Sequence, residues 1–87
     1  MGLFASKKPD RTAEAAEWTE RANRSEQDAK QARATIARHR RYLEDGSTDP
    51  AADRYLIKQA EEDLWVAEAN ARDYRKTAAS LSKRGRY

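Results

Sequence analysis

One histidine stands inside the run Arg38-His39-Arg40-Arg41, and side-chain types there suggest chemistry. Guanidinium groups bind phosphate well, and an imidazole beside them can move a proton or hold a metal. The neighbourhood argues against both roles. Glu44, Asp45, Asp49 and Asp53 follow closely, so the acidic turn is expected to neutralise the cations. With no cysteine in the chain, zinc would have to rely on His39 and carboxylates, and no metal or cofactor is expected. His39 is instead expected to be a packed histidine near Tyr55. No glycine-rich phosphate loop is present, and no nucleophile has a partnered base. The fifteen carboxylates lie mainly on solvated helix faces, where unperturbed acids do no chemistry. The expectation is a protein that is not an enzyme.

Three further constellations point to binding. Trp65 lies one step off an apolar helix stripe, about 100° around from Leu64, and Tyr55, Val66 and Ala69 turn the same way. Such a tryptophan reads as the anchor of a protein interface, with a second copy or another protein as partner. Lys7, Lys8, Arg75, Lys76, Lys83, Arg84 and Arg86 gather at one end if the chain doubles back, and that end would suit a phosphate backbone or an acidic surface. No helix-turn-helix, zinc-finger or RNP pattern supports the nucleic-acid alternative. The start, Met1-Gly2-Leu3-Phe4-Ala5-Ser6, satisfies the myristoylation pattern. Arginine is favoured over lysine and alanine is frequent, as in GC-rich bacterial or phage genomes, so lipidation is not expected.

Two helices must position these groups. Ala15, Trp18, Ala22, Ser25, Ala29, Ala32, Ile36, His39 and Leu43 are spaced alternately three and four apart. Ile57, Ala60, Leu64, Ala67, Ala71, Tyr74, Ala78 and Leu81 repeat the pattern beyond the break Asp45-Gly46-Ser47-Thr48-Asp49-Pro50. Two heptad seams joined by one short turn specify an all-α fold, two long helices in an antiparallel coiled-coil-like hairpin. Residues 1–8 read as a flexible lead, 9–44 as the first helix and 45–49 as the turn. Residues 50–82 read as the second helix and 83–87 as a basic tail. Asp49 suits an N-cap and Pro50 the first helical position. Across the seam the reading places Trp18 beside Tyr74, Arg33 opposite Glu61, and Glu26 near Glu68.

Hydrophobic and charged residues each make up 38% of the chain, which suits long solvated helices and leaves a thin core. Two hairpins meeting through the Trp65 stripe would make a four-helix bundle and supply what one lacks. No apolar run approaches the roughly 20 residues of a membrane helix, so the chain is expected to be soluble and cytoplasmic. The shape resembles the small WXG100-type helical hairpins, which dimerise. The turn here has no Trp-x-Gly and the tail has no Tyr-x-x-x-Asp/Glu, so membership is not assigned. The expected role is a helical-hairpin interaction module, a small accessory subunit of a bacterial or phage assembly.

Overall fold

A computed structural model describes residues 11–84, and within them the chain is an antiparallel pair of α-helices. Helix α1 spans Arg11–Glu44 and α2 spans Pro50–Arg84. At 1.5 Å per residue each is about 50 Å long. No glycine or proline interrupts α1 before Gly46, whose φ of 84° lies in the left-handed region that glycine enters without strain. At the restart the Ala52 N–H donates to Asp49 Oδ1 over 3.2 Å, the N-cap bond expected of Asp49. Lys83 and Arg84, which the sequence reading puts in the tail, belong to the last turn of α2.

Every position of both ladders is buried or half-buried. The deepest are small: Ala22 is fully covered, and among the described residues Ile36 is the only buried hydrophobic residue larger than alanine. A methyl group adds on the order of 0.8 kcal/mol when buried, so the seam is long and shallow in energy. Apart from Ile36, its larger members are half-buried: Trp18, His39, Leu43, Ile57, Leu64, Tyr74 and Leu81. Trp18 and Tyr74 meet at 5.5 Å between ring centroids, and the Arg21 guanidinium lies 4.5 Å above the Trp18 ring.

One flank of the seam carries three interhelical ion pairs. Glu26 meets Arg75 at 2.6 Å, Arg33 meets Glu68 at 2.7 Å and Arg40 meets Glu61 at 3.3 Å. The partners step by heptads in opposite directions. This corrects two expected contacts, because Arg33 does not face Glu61 and Glu26 does not confront Glu68. Helical side chains lean toward the N-terminus of their own helix. In an antiparallel pair Arg33 and Glu68 therefore lean toward each other, while Arg33 and Glu61 lean apart.

Candidate functional site

The residues able to do chemistry converge at the turn. Asp53 lies four residues before Ile57 and so continues the α2 ladder, which buries it in the seam. Its Oδ1 bonds His39 Nδ1 over 2.8 Å, and the Ser47 hydroxyl donates to its Oδ2. Ser47 Oγ in turn accepts the Asp49 N–H at 3.1 Å. The Ser47 hydroxyl first, then the His39 imidazole, hold the Asp53 carboxyl below the ordinary aspartate value against an opposing effect of burial. An ionised carboxylate only accepts, so Nδ1 is assigned as the protonated nitrogen. His39 also meets Tyr42 edge-on, with centroids 5.3 Å apart.

Serine, aspartate and histidine in contact invite comparison with a nucleophilic triad, but their order is wrong. In a triad the imidazole stands between hydroxyl and acid and takes the hydroxyl proton. Here the carboxylate stands in the middle, so the Ser47 hydroxyl has no imidazole to take its proton and is held only by an acid whose lowered pKa makes it a weak base. The arrangement clasps the turn to both helices. His39 is thus packed as expected but against Asp53, and Tyr55 points away with 62% of its surface exposed. The acidic turn also does not neutralise the arginine run. Arg40 reaches Glu61 on α2, Asp53 is taken by His39 and Ser47, and Asp49 caps α2. Arg38 and Arg41 remain exposed without an ion-pair partner among the described residues.

The outer face of α2 offers a different kind of site. Trp65 is 71% exposed and Val66 is about half exposed, with Ala69 one turn further along. Tyr55 shares this side of the helix but lies ten residues earlier, about 15 Å along the axis, with Lys58, Gln59 and Glu62 between. The compact patch is therefore Trp65, Val66 and Ala69. Leu56, which the sequence reading passed over, is exposed at 40% and lines a groove with Ala32, Ala60 and Val66. Its signal was its place beside Ile57, next to the seam.

The basic end is only partly described. Lys7, Lys8 and Arg86 lie outside the described residues, and Lys76 and Lys83 are exposed on α2. Arg75 is engaged: its Nε bonds Glu26 at 2.8 Å and its Nη2 bonds Asn23 at 3.1 Å. Among the described residues no group of three or more His, Cys, Asp or Glu is placed to hold a metal ion. No described helix is long and apolar enough to cross a membrane. No family model matches this chain, and no curated protein or solved structure matches it either.

Proposed function

We propose that this chain is a non-enzymatic interaction module, a hairpin that works by presenting the outer face of α2 to a protein surface. The observation that carries the reading is Trp65, an indole 71% exposed beside Val66 and Ala69 on a rigid helix. A large aromatic group held in water by its scaffold loses favourable burial until a partner covers it, and such groups dominate interface energies. The thin alanine seam supports the same reading, since a two-helix core gains from any surface that adds to it. The setting proposed is a small accessory subunit of a cytoplasmic bacterial or phage assembly, self-associating or docked on a larger component.

The nucleic-acid reading has less support, because Arg75 is bound to Glu26 and Asn23 and the cations in the last turn of α2 suit a helix carboxyl end without any ligand. Solution mass and a pull-down, each for wild type and Trp65→Ala, test the interaction. The wild type is expected to assemble or recover a partner that the variant loses. A folded monomer in both cases, with no partner recovered, would sink the proposal.

A further inference from the structure

The charges around Trp65 say what kind of surface covers it. Arg54 and Lys58 stand eleven and seven residues before Trp65, and Arg72 and Lys76 stand seven and eleven residues after it. At 100° per residue those spacings return to within about 20° of Trp65, so the five side chains share one straight stripe about 33 Å long. All four cations are exposed, and none has an ion-pair partner among the described residues. Glu61 and Glu68 border the stripe, but Arg40 and Arg33 hold them from across the seam, so the stripe stays basic. Arg54 with Lys58, and Arg72 with Lys76, are like charges four residues apart, an arrangement that weakens a helix by itself. On α1 the same spacing joins opposite charges, Glu20 and Arg24, at 3.1 Å. The stripe therefore carries charge that the hairpin does not use.

On the reading of the α2 face as an interaction surface, we propose that its partner is an acidic helix of another protein, with apolar side chains packed against Trp65 and carboxylates set opposite the four cations. Lys58, Trp65 and Arg72 recur every seven residues, the interval at which a helix lying alongside returns its own side chains to one face. The indole supplies the buried anchor, and the cations on each side steer the partner and fix its register. Nucleic acid fits the stripe less well. A duplex turns once in about 34 Å, so its groove carries phosphates away from a straight stripe of this length. Glu62 is exposed one turn from Trp65 and has no ion-pair partner among the described residues, so it would repel a strand stacked on the indole. Two copies of this chain meeting stripe to stripe would oppose cation to cation in either direction, because the cations are placed symmetrically about Trp65.

The probe is a labelled peptide four heptads long, with leucine at a and d and glutamate at e and g, titrated with the full chain by fluorescence anisotropy. The chain should bind this peptide and not its counterpart with lysine in place of glutamate. Trp65→Ala should weaken binding at least about tenfold, as loss of a central anchor does. Lys58→Gln with Arg72→Gln should weaken it as much while the helical circular dichroism and Tm hold, because both residues are exposed and the change removes the like-charge contacts. Lys58→Glu with Arg72→Glu should turn the preference to the lysine peptide. Arg38→Gln with Arg41→Gln takes the same charge from α1 and should change affinity by less than about threefold. An equal loss from that α1 pair would overturn the stripe, since any cation would then serve, and so would failure of the wild type to bind the glutamate peptide. Oligodeoxythymidylate bound more tightly than the peptide, with log affinity falling against log salt at a slope of about −2.8 for four phosphates, would overturn the protein partner in favour of a single strand. A pull-down partner lost with Trp65→Ala but kept by Lys58→Gln with Arg72→Gln would overturn the acidic helix and leave the interaction reading standing.

Discussion

Shortening Ile36 to alanine asks how much of this fold depends on one side chain. Ile36 is 7% exposed and has only alanines as peers among the buried hydrophobic residues. The substitution removes three carbons at about 0.8 kcal/mol each, or about 2.4 kcal/mol, and an uncollapsed cavity raises the usual loss to between about 2 and 5 kcal/mol. A domain of 87 residues has a total stability on the order of 4 to 13 kcal/mol at ordinary per-residue values. One side chain therefore accounts for a large share. In a thermal melt followed at the helical circular dichroism band, Ile36→Ala should lower the Tm by roughly 10 to 20 °C, at about 4 to 8 °C per kcal/mol. Protein concentration must be matched, since association adds stability by mass action. Ile36→Val should fall between, and Gln27→Ala, on an exposed face, should change stability by less than about 0.5 kcal/mol. An Ile36→Ala loss below about 1 kcal/mol would refute the reasoning and show that the alanine seam closes over the gap.

The turn clasp makes stability depend on acid. Because the folded Asp53 pKa is lowered, its contribution is complete above the unfolded value near pH 4 and is lost as pH falls through the folded value. Urea midpoints measured from pH 6 to pH 2.5 should therefore fall more steeply for wild type than for Asp53→Asn, and parallel curves would contradict the clasp. Gly46→Ala meets no atom within 4 Å of the added Cβ but places a side chain at φ +84°, so a loss of about 1 to 2 kcal/mol is expected by urea titration from backbone strain alone. Arg33→Ala, removing one exposed ion pair, should cost only about 0.2 to 1 kcal/mol and less in high salt, and a larger loss would mean the flank pairs hold the hairpin closed.

The parts legible in the sequence are those set by periodicity. Alternating three and four spacing identifies the seam because a helix turns by a fixed angle per residue, and Gly46, Asp49 and Pro50 mark the turn through local backbone chemistry. What was missed depends on side-chain direction and on polar groups in apolar places. Asp53 reads as a first-turn acid favoured by the helix dipole, yet it occupies a ladder position, and only the nearness of His39 and Ser47 makes its burial tolerable. The flank pairs were displaced by one heptad because residue spacing says nothing about which way an arginine leans. Trp65 was legible as off the seam, but its separation from Tyr55 emerges only when distance along the axis is counted with angle around it.

The most direct measurement of the interaction face is iodide quenching of Trp65 in a Trp18→Phe background, where Trp65 is the one remaining indole. Dilute hairpin should be fully quenched, as 71% exposure requires. At concentrations where the solution mass rises, or with a recovered partner bound, quenching should fall several-fold and the emission shift to shorter wavelength. Trp65 that stays fully quenchable in every assembled or partner-bound state would contradict the account.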